Sequence, residues 1–149
     1  MAIDDVDRAL LVRLQNDATQ SYAALGQAVG LSAGAAHERV RKLKATGVIR
    51  RTTIEVDPAA LGSGVLAYVL LDSDAWMGDE PTLDALQAIP TVEEAHIIAG
   101  PASVLVKVRT GSTEALQATL RSLHLVDGVT STQTIVVLES FFERAPAVV

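Results

Sequence analysis

The chain has 149 residues, no cysteine and a formal net charge of −6. Without cysteine it has no disulfide framework, no thiolate nucleophile and no cysteine metal site. Its apolar runs are shorter than the roughly 18 residues that a membrane helix needs, and its acidic start lacks the basic region of a signal peptide. We therefore expect a cytoplasmic protein with one or two small domains and no membrane association.

The net charge conceals a difference between the two parts of the chain. Residues 1–57 carry eight Lys or Arg against seven acids, whereas residues 58–149 carry four against eleven. Six of the basic residues and a single glutamate lie between Leu31 and Thr53. Because Lys and Arg supply most of the non-specific affinity for nucleic acid, this segment indicates a surface that faces a polyanion. A solvated helix face is the alternative explanation of the same composition.

Three short helices are predicted in the first third of the chain. Asp4, Ser21 and Ser32 are suitable N-caps, and each precedes apolar residues at helical spacing. Gly30 suits the left-handed residue that ends the second helix, and Gly47 ends the third. Two short helices separated by Gly-Leu-Ser are typical of a helix-turn-helix, in which the third predicted helix is the recognition helix.

The third helix has a core-facing side and an outward side that is small at its start and basic at its end. Small residues allow close approach to base edges, and Arg or Lys can reach phosphates or guanine. A three-helix bundle with a polar face is the alternative, and Arg39 fits DNA contact or an internal ion pair equally well. Arg50 and Arg51 follow where a wing would touch the DNA backbone. The residues predicted to contact DNA are Ser32, Ala33, Gly34, His37, Glu38, Arg41, Lys42, Arg50 and Arg51.

The rest of the chain alternates between predicted strands and helices. An alternating segment at 52–56 predicts a linker strand. Strands are predicted at 65–71, 92–99, 104–109 and 130–138, with helices at 81–89 and after a cap at Ser112 or Thr113. The order β-α-β-β-α-β is the ferredoxin-like split pattern. Two helices cover one face of such a sheet, so we expect the other face to be covered in a dimer.

Short motifs lie along nearly the whole chain. They are Ile3-Asp4-Asp5-Val6-Asp7-Arg8-Ala9-Leu10-Leu11, Leu14-Gln15-Asn16-Asp17-Ala18, Val29-Gly30-Leu31-Ser32, Arg39-Val40-Arg41-Lys42-Leu43, Gly47-Val48-Ile49, the hinge Asp57-Pro58 with Leu61-Gly62, and Thr132-Gln133-Thr134. Jointly they resemble the Lrp/AsnC family of transcription regulators. Gly100 and the Thr132-Gln133-Thr134 stretch match the effector-binding domain of that family.

The resemblance implies an α+β protein in three parts. A (winged) helix-turn-helix domain over 1–50 is followed by a linker strand and hinge over 51–62 and a ferredoxin-like effector-binding and oligomerisation domain over 63–149. Family members bind double-stranded DNA through the first domain and a small effector, often an amino acid, in the second. They form homodimers that frequently assemble into octamers. The implied function is that of a sequence-specific, effector-modulated regulator.

The family places its effector at the turn after the second strand of the second domain. Carried onto this chain, the effector-binding residues are Ala99, Gly100, Pro101, Ala102 and Ser103, with Thr132 and Thr134 nearby. Backbone N–H groups in such a turn can hold a carboxylate. The family commonly has Gly-x-Tyr-Asp here, and Ser103 replaces the acid that would pair with a ligand ammonium. This departure predicts an unusual ligand or none, and a plain hairpin turn is the alternative.

We expect no catalytic site, no metal and no cofactor. His37-Glu38 is not a zinc-binding helix motif, because Arg41 stands where the second histidine is needed, and the chain has no phosphate-binding glycine motif. One alternative function is a sensor that no longer binds DNA. The other is an enzyme, since some proteins that resemble this family are sirohaem decarboxylases. The candidate residues for that enzyme are His96, Lys107, Arg109 and His124.

Overall fold

The computed structural model describes residues 3–148, and these form two compact units. One unit contains the described residues up to Glu55 together with those from Phe142 onward, and the other is Val56–Phe141. No helix in the described part of the chain is long and apolar enough to cross a membrane.

The first unit contains three helices, α1 (Asp5–Asn16), α2 (Tyr22–Val29) and α3 (Ala33–Ala45). Their predicted caps are confirmed: the side chains of Asp4, Ser21 and Ser32 each accept a hydrogen bond from the backbone N–H three residues later. Such caps satisfy donors that a helix start leaves without partners. The small core joins one residue from each helix, and these are Leu10, Leu25 and Ala36.

Two glycines determine the turn between α2 and α3. Gly30 ends α2 in the left-handed region at φ 73°, which glycine adopts without a steric penalty. Gly26 lies against the turn, because a Cβ there would come within 2.6 Å of the Leu31 carbonyl oxygen and 2.9 Å of the Ser32 carbonyl oxygen. The Leu31 N–H donates to the Gly26 carbonyl at 2.8 Å. This close approach sets the position at which α3 begins.

The second unit has the predicted βαββαβ order. Its elements are β1 (Val65–Ser73), α4 (Glu80–Gln87), β2 (Val92–Ile97), β3 (Val104–Thr110), α5 (Thr113–His124) and β4 (Val129–Val136). The strands form one antiparallel sheet in the order β2-β3-β1-β4. This topology places the turn between β2 and β3 next to the end of β1, because Val104 pairs with Leu71.

The two faces of this sheet differ. One face packs against the helices and is buried on the central strands β1 and β3, whereas the edge strands β2 and β4 are partly exposed on it. Its core includes Val69, Val106 and Leu123. The other face carries the alternate residues of the strands, among them the half-buried pair Leu70 and Leu105. Because side chains alternate along a strand, the register determines which residues lie on the open face.

Three features of the local structure differ from the predictions. The linker strand predicted over 52–56 is wrong for this chain, because residues 51–57 have no regular structure and alternation alone cannot supply the partner that a strand needs. No wing strand follows α3 within the described residues 46–64. Pro81 is the second residue of α4 rather than the first, because Asp79 caps the helix by accepting from the Thr82 N–H at 3.0 Å.

Candidate DNA-binding surface and effector cavity

The outward side of α3 is solvent-exposed along its whole length. Every residue predicted to contact DNA is exposed, including Arg50 and Arg51 in the segment after the helix. Ser32 has a structural role as well, since its hydroxyl accepts the Ala35 N–H at 3.2 Å. A Cβ on Gly34 would meet no atom within 4 Å, so the fold does not require glycine at this position. The start of α3 therefore presents a surface without bulky side chains.

Arg39 forms an ion pair within the first unit, which decides between the two predicted roles. Its Nη1 lies 2.7 Å from Asp4 Oδ2 and 2.8 Å from Asp7 Oδ1. Asp4 and Asp7 also form the capping box of α1, in which each carboxylate accepts the other residue's backbone N–H. The hydrogen bond from the Asp7 N–H, together with Arg39, lowers the pKa of Asp4. Arg39 thus joins α3 to the start of α1.

Arg41 faces outward and is paired with Glu38 one helical turn earlier. Its Nε donates to Glu38 Oε2 at 2.9 Å, and its Nη2 donates to Glu38 Oε1. Hydrogen bonding to Arg41 lowers the pKa of Glu38, and the same contact raises the pKa of Arg41. Both groups are therefore charged at neutral pH. Lys42 is also exposed, on the neighbouring side of the helix.

Tyr22 belongs to this surface and was missed by the sequence analysis. It is the first residue of α2, and its ring meets the ring of His37 edge-on with centroids 4.7 Å apart. The contact holds the His37 side chain beside the start of the recognition helix. The sequence did contain a signal for Tyr22, since it is an aromatic residue at a helix N-terminus and is not needed for the core of this unit.

A cavity of about 280 Å³ lies beside the turn between β2 and β3. Four of the residues predicted to bind an effector line it, namely Ala99, Gly100, Ala102 and Ser103. The turn is closed by two hydrogen bonds, from the Ile98 N–H to the Ser103 carbonyl at 3.1 Å and from the Ser103 N–H to the Leu71 carbonyl at 3.0 Å. In the described chain, no backbone carbonyl accepts a hydrogen bond from the N–H groups of Ala99, Gly100 and Ala102.

The remaining predicted effector residues lie elsewhere around this end of the sheet. Pro101 is in the same turn but does not line the cavity. Thr132 pairs with Leu71 and Thr134 pairs with Val69, so both lie on the helix-covered side of β4. They do not line the cavity either.

The cavity also has a wall that sequence reasoning missed. Ala75, Trp76 and Met77 line it from the segment after β1, and Trp76 is 74% exposed. Antiparallel pairing of β1 with β3 brings this segment to the turn, although they are more than twenty residues apart in the chain. The only signal in the sequence was the single tryptophan of the chain, in a polar loop.

The candidates for an enzyme are mostly engaged in ion pairs on the open face of the sheet. Lys107 Nζ lies 3.4 Å from Glu94 Oε1, and Arg109 Nε lies 2.8 Å from Glu93 Oε1. His96 Nε2 lies 3.2 Å from Glu94 Oε2. His124 is the last residue of α5 and does not join this cluster in the ion pairs of the described chain. The cluster is a network of alternating charge.

A helix-turn-helix unit followed by a separate α+β domain with a cavity is an arrangement typical of DNA-binding regulators with a ligand-binding domain. Comparison with protein families agrees with that class. The model of the AsnC-type helix-turn-helix domain matches residues 3–44, and the model of the Lrp/AsnC ligand binding domain matches residues 69–147. The chain belongs to the Lrp/AsnC family of transcription regulators.

Relatives match over nearly their whole length. The HTH-type transcriptional regulator FL11 of Pyrococcus horikoshii is 33% identical over 95% of this chain and 93% of its own. The structure of Escherichia coli AsnC superposes with a TM-score of 0.90 at 31% identity, covering 99% of both chains. A feast or famine regulatory protein of M. tuberculosis, solved in complex with L-methionine, superposes with a TM-score of 0.90 at 28% identity over 99% of both chains.

Proposed function

We propose that this chain regulates transcription by binding double-stranded DNA through the outward side of α3, with Arg50 and Arg51 contacting the DNA backbone. The proposal rests on the observation that two arginines of α3 make different contacts. Arg39 is held by Asp4 and Asp7 within the unit, whereas Arg41 is directed outward. The exposed small start of α3 supports insertion into a major groove, and its basic end supports contact with phosphates.

The test is capture of genomic fragments by the purified protein at two salt concentrations, followed by sequencing. We expect discrete fragments that remain enriched at the higher salt, because base contacts do not depend on counterion release. Uniform binding that disappears at the higher salt would contradict sequence-specific regulation. Absence of binding at both concentrations would favour the sensor or enzyme alternatives.

We further propose that the cavity beside the turn binds a small effector that carries a carboxylate, such as an amino acid or a related metabolite. The backbone N–H groups of Ala99, Gly100 and Ala102 are suitable donors for that carboxylate. The relative solved with L-methionine supports an amino acid as the first compound class to test. Ser103 cannot neutralise an ammonium group, so the ligand's amino group needs another partner.

An effector changes DNA binding only if it binds one arrangement of the protein better than another. We propose that this arrangement is a homodimer, or an octamer built from dimers, that sets the spacing between recognition helices. Two helices on one face of DNA must lie about 34–36 Å apart, or a multiple of that distance. The open sheet face supports the dimer, because Tyr68, Leu70, Leu105 and the half-exposed Ile135 form an apolar patch there.

Analytical ultracentrifugation of the full chain tests the assembly. We expect a dimer or a multiple of it, and Leu105→Glu should shift the distribution toward monomer because it places a charge in the apolar patch. A wild-type monomer at micromolar concentration would contradict the proposed assembly.

A further inference from the structure

Glu38 and Arg41 are held together at two points on the outward side of α3. The carboxylate accepts from Arg41 Nε at 2.9 Å and from Nη2, and the two side chains are still 61% and 63% exposed. An exposed pair at this spacing contributes little to the stability of a folded protein. Both residues can therefore be substituted without unfolding the helix-turn-helix unit.

The pairing occupies one edge of the guanidinium and leaves the opposite edge available. Arginine has five N–H donors in a planar fork, and Glu38 takes the two on the Nε–Nη2 edge. One N–H of Nη1 and the second N–H of Nη2 point in parallel from the other edge. Guanine presents two neighbouring acceptors, O6 and N7, in the major groove, and this pair of donors matches them.

We propose, building on the proposed DNA-binding function, that Arg41 reads a guanine through its Nη1–Nη2 edge and that Glu38 is the positioning residue for this contact. Glu38 fixes the plane of the guanidinium, so less side-chain freedom is lost when guanine binds. Its carboxylate also repels a nearby phosphate, whereas the guanine edge carries no net charge. The pair therefore favours a base over the DNA backbone, and Glu38 raises specificity while it lowers non-specific affinity.

The experiment compares full-length variants in selection from a random double-stranded DNA pool, followed by affinity measurements on the selected site. Arg41→Lys keeps the charge but removes the fork, and Glu38→Gln keeps the size but removes the charge. Asp5→Asn is the matched control, because Asp5 and Arg8 also form an exposed pair three residues apart, on α1. It alters net charge by the same amount as Glu38→Gln but lies outside the recognition helix.

We expect the wild-type site to contain a guanine in each half-site whose replacement by 7-deazaguanine, which lacks the N7 acceptor, weakens binding. Replacing that G·C pair by A·T should weaken wild-type binding about fivefold or more, the lower end for a bidentate base contact. Arg41→Lys should reduce this discrimination, because an ammonium group can reach guanine but lacks the planar pair of donors. Glu38→Gln should reduce it while binding random DNA more tightly, whereas Asp5→Asn should keep wild-type discrimination.

Each contrary outcome identifies which proposal fails. If Glu38→Gln keeps wild-type discrimination, or loses no more than Asp5→Asn, Glu38 is not a positioning residue. If 7-deazaguanine has no effect, Arg41 does not read guanine, although DNA binding by the protein still stands. If Arg41→Lys keeps the full wild-type discrimination, the planar fork is not used and the proposed Nη1–Nη2 contact is wrong. If the wild-type protein selects no sequence at all, the proposed function itself is overturned.

Discussion

The two units of this protein build their candidate sites in different ways. The candidate DNA-binding surface lies mainly on one helix of 13 residues, in which neighbours in sequence are neighbours in space. The cavity beside the turn between β2 and β3 joins that turn to the segment after β1, and the pairing of β1 with β3 brings the two together. One site is a product of local structure and the other is a product of strand register.

The glycines of the two units also differ in role. Some are required by the fold, and others leave space at a candidate site. Gly26 has carbonyl oxygens of the turn in contact with the position of a Cβ, so its role is structural. Gly34 and Gly100 have no atom within 4 Å of that position, and each lies in a candidate site. Substitutions at these three positions can therefore test whether fold and function separate as the structure indicates.

The largest effect is expected for Gly26→Ala, which should destabilise the helix-turn-helix unit by about 1–3 kcal/mol, as is typical of overpacking. The added methyl group meets backbone oxygens, and these cannot rotate away as a flexible side chain can. Amide hydrogen exchange in α2 and α3 measures the effect within this unit, because it reports local opening.

Gly34→Ala is the matched control for Gly26→Ala. Its methyl group enters open space near the start of α3, so we expect exchange protection equal to the wild type or greater. Equal protection in the wild type and Gly26→Ala would show that α2 does not need the close approach to the turn. Faster exchange in Gly34→Ala would show that the start of α3 is packed more tightly than the structure indicates.

A smaller and more selective effect is expected for Gly100→Leu. The side chain would occupy space at the cavity, so binding of an amino acid effector should weaken about fivefold or more while DNA binding without effector is unchanged. Calorimetric titration with the best amino acid ligand measures the first quantity, and fluorescence anisotropy with the selected DNA measures the second. Loss of both would show that the turn is needed for the fold or the assembly, and unchanged effector binding would place the effector elsewhere.

The sequence predicted the locally determined features well. The caps at Asp4, Ser21 and Ser32 were confirmed, and the structure selects Ser112 from the two predicted candidates Ser112 and Thr113, because a cap is recognised from a few adjacent residues. The βαββαβ order also followed from periodicity and turn residues. The predicted effector-binding residues at the cavity remain predictions. The contribution of Trp76 to the cavity was missed, because neighbouring residues in the sequence do not indicate which loops the pairing of two strands brings together.

The predicted linker strand failed for a related reason. Residues 52–56 alternate as a strand should, but the structure of a strand depends on a hydrogen-bonding neighbour that alternation does not specify. The Arg39 ion pair was an intermediate case. Both roles were open from the sequence, and the contact with Asp4 and Asp7 emerged only from the packing of α3 against the start of α1.

The smallest effect concerns this ion pair and the stability of the first unit in acid. The pKa of Asp4 is lowered in the folded protein by the Asp7 N–H and by Arg39, so ionised Asp4 stabilises the fold. This stabilisation is complete above the ordinary aspartate pKa of about 3.8 and is lost as the pH falls through the lowered value. Asp4→Asn can still cap α1 but lacks the charge. At pH 7 the urea midpoint of Asp4→Asn, measured by the exchange protection of α1, should lie below that of the wild type.

The wild-type and Asp4→Asn midpoints should converge as the pH falls below about 4, since protonated Asp4 also lacks the charge that pairs with Arg39. Asp5→Asn is the control, because Asp5 is exposed and forms neither the cap nor the pair with Arg39. If the difference between wild type and Asp4→Asn is the same at pH 7 and pH 3, hydrogen-bond geometry rather than charge joins α3 to α1. If Asp5→Asn shows the same convergence, the acid sensitivity belongs to the net charge of the unit rather than to the Asp4–Arg39 contact.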